Sequence, residues 1–315
     1  MHHKMGIRQR WAWSAAAALG VICACACGMN WVWVTVGGLL AAVSQYVLDR
    51  NLREPGLAQL FRLLGKPGTL LRWLSLGWFV FVLAWSANTA DLAFPMVEGY
   101  PLLGLTVLAL AAWGSWKGTA ACARCAGVLL LFLLPLLGTV TAFAIPEVKL
   151  SYLLPRGSWR QIIPALGLFL LPMGVWYLPC RRRQTGGSGW YFLLPAAGGL
   201  LAAVTAGVLS PVLAQRMASP LYTVMKSISL FGVMERVEPL LSAAMTMGAF
   251  CLVSISACAC GALLGKSWGG PAACAAAALL MGVVSGVGLP WLAAGGGIFG
   301  IAVPLLVVLI TKSKK

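Results

Sequence analysis

Ten cysteines, two histidines and seven acidic residues are the groups through which this chain could do metal, redox or acid–base chemistry. Their spacing argues against all three. Cys23, Cys25 and Cys27 alternate along one apolar run, as do Cys258 and Cys260. On a helix, residues two apart point about 200° away from each other, so such pairs do not converge on one ion. Cys122 and Cys125 form a CxxC with no second pair, which is weak support for zinc. Cysteine acting as a small apolar packing residue among alanines accounts for all ten. His2 and His3 read as solvated residues of a mobile end. No Asp or Glu falls in the middle of an apolar run, where a carboxylate would be the default member of a proton relay. No catalytic residue, metal or cofactor is expected, and the chain is not read as an enzyme.

The informative chemistry is in the backbone. Leu170-Leu171-Pro172-Met173-Gly174-Val175 places a helix breaker and a flexible residue inside an apolar run. Proline removes one hydrogen bond and clashes with the preceding turn. In lipid the freed groups must be satisfied by protein, water or a bound ligand. The first apolar run carries a glycine, Gly20, near its middle. If ten runs divide five and five, runs 1 and 6 are counterparts, and paired interrupted segments point to a binding site. Gly20, Val21, Pro172, Met173 and Gly174 are the candidate ligand-binding residues. A plain packing kink is the competing reading.

The elements that hold these residues follow from composition. Of 315 residues, 60% are hydrophobic and 10% charged, with a mean hydropathy of +0.89. Soluble domains carry roughly 25% charged residues, so a water-soluble fold and disorder are both excluded. A net charge of +16 would suggest nucleic acid in a soluble chain. Here the basic residues lie between apolar runs, the pattern of a multi-pass membrane protein, and no nucleic-acid partner is expected. A membrane-crossing helix needs about 20 apolar residues. Spans are expected near 11–28, 31–48, 73–90, 100–116, 126–145, 162–179, 190–213, 239–263, 270–288 and 290–310. Gly28-Met29-Asn30 and Gly288-Leu289-Pro290 supply turns between close neighbours. With the N-terminus inside, 17 Lys and Arg fall on inner segments and 6 on outer ones. That asymmetry places both termini in the cytoplasm. Basic residues, an apolar run and Ala24-Cys25-Ala26 also match a leader pattern. The run from Trp11 is long for a leader's apolar core, and the remaining topology is the same either way. The tryptophans, most of them near span ends, read as an interfacial belt. Arg181-Arg182-Arg183 reads as a topology anchor at the inner headgroups, with membrane lipids as its partner.

The outer connection between spans 7 and 8 is the most distinctive stretch. Leu221, Val224, Met225, Ile228 and Phe231 share one face at helical spacing, which predicts a short amphipathic helix within 216–238. Glu235-Arg236-Val237-Glu238-Pro239 then opens span 8. The acids suit the positive end of the helix dipole and the proline suits the first turn. Pro220, Tyr222, Glu235, Arg236 and Glu238 are the candidate coupling or docking residues.

At these residues the chain resembles a known family, the B-subunit (endospore germination permease) of spore germinant receptors. That family lies in the amino acid–polyamine–organocation transporter superfamily. The likeness is carried by Pro220-Leu221-Tyr222, Ser227-Ile228-Ser229, Glu235-Arg236-Val237-Glu238 and Met247-Gly248-Ala249-Phe250. The outer run from Pro146 to Pro155 and the inner Leu60-Phe61…Leu64-Gly65-Lys66 pattern also fit. The resemblance implies an all-α polytopic membrane protein forming a single transmembrane domain. Its ten helices would form two inverted five-helix repeats of LeuT-like type, about 11–145 and 162–310, with a pocket near broken helices 1 and 6. It also implies a function, sensing a small nutrient germinant such as an amino acid in the inner membrane of the spore. The implied partners are an A-subunit and a lipoprotein C-subunit. An active secondary transporter of amino acids or similar solutes is the alternative. A copy acting only as a membrane scaffold is a third reading.

Overall fold

A computed structural model describes residues 5–51, 56–91, 102–154, 158–180, 190–217, 219–227, 238–285 and 289–313. Nearly all of them are helical. Among them the extended pairing is one isolated bridge between Met5 and Cys180. Among the described residues, seven helices are long and apolar enough to cross a membrane: Ile7–Gly28, Trp31–Arg50, Lys66–Asp91, Thr119–Glu147, Tyr191–Leu209, Pro239–Leu264 and Trp291–Ile310. Two shorter apolar helices, Leu102–Lys117 and Gly269–Val284, stand where spans 4 and 9 are expected. Sixteen residues rise about 24 Å, and exposed Trp113 and Trp116 sit at the end of the first of them, as interfacial anchors do. The tenth segment, span 6, is a helix over Ile162–Leu170 that tightens into a 3-10 helix over Leu171–Tyr177. The architecture is an all-α, multi-pass bundle.

Spans 1 and 8 form its centre. Each is apolar on every side, and 72% of each is buried, against 22% of span 5. A bundle in lipid gains nothing by hiding leucine from lipid, so contact goes to small residues that let backbones approach. Gly20 and Gly248 are such a pair. A Cβ on either would overlap the other's backbone. Cys23, Cys251, Cys258 and Cys260 share this core as free, buried thiols.

Two short helices cover the bundle ends. Leu57–Leu63 follows span 2 on the inner side, with Leu57 and Phe61 fully buried. Pro220–Ser227 follows span 7 on the outer side. Its Leu221, Val224 and Met225 are buried, so the expected amphipathic face packs on the bundle, against spans 7 and 8 and the turn after span 1. Ile228, Phe231, Glu235 and Arg236 lie outside the described residues. The link between spans 1 and 2 is a 3-10 turn over Ala26–Gly28. Asn30 then caps span 2, its side-chain oxygen accepting from the Val32 N–H at 3.0 Å.

Two expectations need correction. Span 1 is not interrupted at Gly20: the helix runs unbroken through Ile7–Cys25, because Gly20 serves a close helix crossing and not a kink. The tryptophan belt holds for Trp73, Trp113, Trp116, Trp159, Trp268 and Trp291, which are exposed, but Trp13 and Trp176 are buried. The Trp13 indole donates to the Cys251 carbonyl and the Ser254 hydroxyl, each at 3.1 Å, pinning span 1 to span 8.

Candidate functional site

Span 6 breaks for a reason that can be followed bond by bond. The Leu171 N–H turns to the Leu168 carbonyl, three residues back, and starts the 3-10 geometry. In that geometry the Phe169 carbonyl would accept from residue 172, which is proline and has no N–H. The orphaned carbonyl is satisfied from another helix. The side-chain amide of Gln45, buried on span 2, donates to it at 3.1 Å. A buried carbonyl without a partner costs roughly 1–3 kcal/mol, so Gln45 is what lets the break persist in the membrane.

Span 10 repeats the arrangement, which was not expected from its sequence. It runs as helix over Leu289–Gly297, widens to a π turn over Ile298–Ala302 and resumes over Val303–Ser313. The Val303 N–H bonds the Ile298 carbonyl, five residues back. The next carbonyl in that register, Phe299, would accept from residue 304, again a proline. Here the Tyr177 hydroxyl, at the end of the 3-10 segment of span 6, donates to the Phe299 carbonyl at 2.9 Å. Phe61 and Phe79 meet the Tyr177 ring edge-on, at 5.9 and 4.8 Å. Trp78 stacks on Phe299 at 5.5 Å and lies directly against Gly295. The two irregular segments therefore face each other across spans 6 and 10.

The five candidate ligand-binding residues do not converge. Gly20 faces Gly248, and Gly174 faces Ile255 and Phe79; both glycines lean on span 8, at different points. Met173 packs on Gly300 of the π turn, and Pro172 and Val21 are buried. A described cavity lies instead at the outer end, lined by Met29, Asn30, Trp31, Tyr152, Pro211 and Gln215 among others. Its empty volume is about 250 Å³ but much of it is open, with room for about one water at most. Of the candidate coupling residues, Pro220 lies against Gly28 and Tyr222 is half-buried. Glu238 begins the span 8 helix.

The inner end is tied by a further set of contacts. Arg10 pairs with Asp49 and lies over the Trp176 ring, Trp176 stacks with Tyr191, and the Cys180 thiol donates to the Met5 carbonyl at 3.3 Å. Spans 1, 2, 6 and 7 are joined there. Gln45, Tyr177 and Pro304 were missed by sequence reasoning. Pro304 after three successive glycines, and a glutamine inside an apolar run, were the available signals.

No family model matches the chain, and no curated protein matches it in sequence. Solved structures do match it in fold. A Na+-coupled sialic acid symporter in a substrate-bound outward-open state superposes with a TM-score of 0.58 at 12% identity, covering 95% of this chain and 74% of that one. Mhp1, a nucleobase-cation-symport-1 family transporter, in a closed conformation with bromovinylhydantoin bound, superposes with a TM-score of 0.60 at 14% identity, covering 98% and 78%. At such identities the likeness is one of fold.

Proposed function

We propose that this chain is a membrane protein of secondary-transporter type that binds a small organic solute, an amino acid or a related compound, without altering it chemically. The observation that carries the reading is the broken span 6 inside a fold shared with solute symporters. Irregular backbone at membrane depth persists where it is buried in protein or lines a cavity. In this reading the solute would lie along Pro172, Met173 and Gly174 of the broken span 6. Uptake of radiolabelled amino acids into proteoliposomes containing the purified chain tests this. Accumulation above protein-free vesicles that Gly174→Ala lowers supports the reading, and no accumulation for any of the common amino acids counts against it.

A second reading rests on the resemblance of the run from Pro220 to Glu238 to germinant receptor B-subunits. In it the same bundle senses a germinant in the inner spore membrane, together with A- and C-subunits. Pro220, Tyr222, Glu235, Arg236 and Glu238 pass the signal on or dock those partners. Deletion of the gene followed by a nutrient germination assay separates the readings: a germination defect without any uptake activity favours sensing.

A further inference from the structure

We propose that Cys122 and Cys258 are a redox-sensitive pair. Oxidised by a low-molecular-weight disulfide, they form a reversible bond that staples span 5 to span 8 near the inner face, and Cys125 is the point of attack.

The spacing of cysteines along one helix keeps neighbours apart, but it sets no limit on thiols of different helices. Where spans 5, 8 and 9 pack on one another, thiols from all three meet. The Cys258 thiol donates a hydrogen bond to the Cys122 sulfur. Cys251, Cys260 and Cys274 lie within electrostatic reach of this pair. A Cβ on Gly114 of span 4 would lie 3.0 Å from the Cys122 sulfur, so that sulfur is confined between its neighbours and held towards span 8. Among the described residues no three such groups converge closely enough to hold a metal ion, so the chemistry open to the cluster is pairwise. The residues flanking the pair are fully buried alanines, Ala123, Ala257 and Ala259. Small neighbours let the sulfurs close from hydrogen-bond contact to the roughly 2 Å of a disulfide.

Access decides how the pair is reached. Cys122 and Cys258 are only 2% and 4% exposed. Cys125, one turn further along span 5, is exposed and lies close to Cys122. Arg124 beside it is exposed too. Both lie within about 10 Å of the inner start of the span, a depth from which an arginine reaches water. The exchange then balances in three steps. The Cys125 thiol attacks a disulfide RSSR, and the RS group expelled leaves as RSH with the Cys125 proton. Cys122 attacks the Cys125 sulfur and expels the second RS group, which takes the Cys122 proton. Cys258 attacks the Cys122 sulfur and gives its own proton to Cys125, which is a thiol again. The net change is that two protein thiols pass two electrons and two protons to RSSR, leaving one disulfide and two RSH. On a cytoplasmic face such bonds are transient and sensing rather than structural, so the dithiol form seen here is the resting one.

The inference holds whichever solute or signal the bundle serves, and its test needs neither. The full chain in lipid nanodiscs is incubated with oxidised glutathione, remaining thiols are blocked with N-ethylmaleimide, and the digested peptides are mapped by mass spectrometry. Peptides joined through Cys122 and Cys258 should accumulate, and dithiothreitol should release them. Cys125→Ser should slow their appearance about tenfold or more and leave the same end product, because the rate follows access to the attacking thiol. Cys258→Ala should halt the sequence at a bond between Cys122 and Cys125. Oxidation should raise the unfolding temperature of the parent chain and not that of Cys258→Ala. A parent chain that yields no joined peptides, a pair that joins as fast without Cys125, or bonds formed equally among the thiols of span 1 would each overturn the proposal. The joined peptides are read in the parent chain, so the decision stands even if Cys258→Ala does not fold.

Discussion

Arg10 and Asp49 form an ion pair at 3.1 Å, with only 12% and 14% of their side chains exposed, and the Arg10 guanidinium also lies 4.2 Å from the centre of the Trp176 ring. One cation thereby ties the start of span 1 to the end of span 2 and to the 3-10 segment of span 6. Removing one partner of a desolvated pair leaves the other charge stranded. Asp49→Asn should lower stability by about 1–3 kcal/mol. Arg10→Gln combined with Asp49→Asn should cost less than the sum of the single changes. Thermal unfolding of the purified variants in detergent checks both; additive effects would show that the pair contributes no coupling.

The Gln45 amide and Pro172 should be coupled in the same way. Gln45→Leu strands the Phe169 carbonyl and should cost about 1–3 kcal/mol. With Pro172→Ala a donor returns within span 6, so Gln45→Leu should then cost much less. A double-mutant cycle on unfolding midpoints measures this, and equal costs in both backgrounds would show that the amide and the break are independent.

Glycine substitutions should divide sharply by position. Gly20→Val or Gly248→Val has no room at the span 1–span 8 crossing and should abolish folded protein in fluorescence-detected gel filtration. Gly282→Ala and Gly138→Ala meet open space and should leave the elution profile unchanged. Gly174 is intermediate. An added Cβ would come within 2.8 Å of an Ile255 methyl carbon and 3.0 Å of the Phe79 ring. Gly174→Ala should therefore fold with a small local shift and lose most solute uptake, whereas Gly174→Leu should fail to fold and is uninformative about a ligand.

The topology predicts that a cysteine at Gly186, on the inner side, is shielded from an impermeant thiol reagent applied outside, in a background lacking the native thiols. Gly186 lies outside the described residues. On the outer side the Ser219 hydroxyl is buried, so Lys226, which is exposed, is the better reporter. Labelling of Lys226→Cys and not of Gly186→Cys is the expected result. The reverse pattern would invert the orientation derived from the basic residues.

Much of the bundle was legible because lipid makes a simple demand on sequence. An unbroken apolar run must satisfy its own backbone, so a helix is forced, and basic residues between runs set the sides. Pro172 was legible for the same reason: a missing donor is written in the residue type. Its partner Gln45 was not, because the helix face that meets Phe169 depends on how spans 2 and 6 pack. Gly20 misled for a related reason. A mid-span glycine marks either a bend or a close approach, and only the presence of Gly248 opposite it decides which. The π turn was hidden because widening needs both a proline and an outside donor, and Tyr177 is more than a hundred residues away in sequence.

The two short covering helices, Leu57–Leu63 inside and Pro220–Ser227 outside, have a consequence for how the bundle could ever open. Each follows the second span of its half if the ten spans divide five and five, and each buries its apolar side on the bundle. Fully exposing a side chain such as Leu57, Phe61 or Leu221 to water costs about 1.5–3 kcal/mol. In the transporter-type reading, lifting one cover is within reach of a binding event, while lifting both at once costs the sum of the two and gains no further contact with solute. On that reading the two covers would work as the doors of an airlock do, one at a time, with the membrane's seal kept by the cost of opening both.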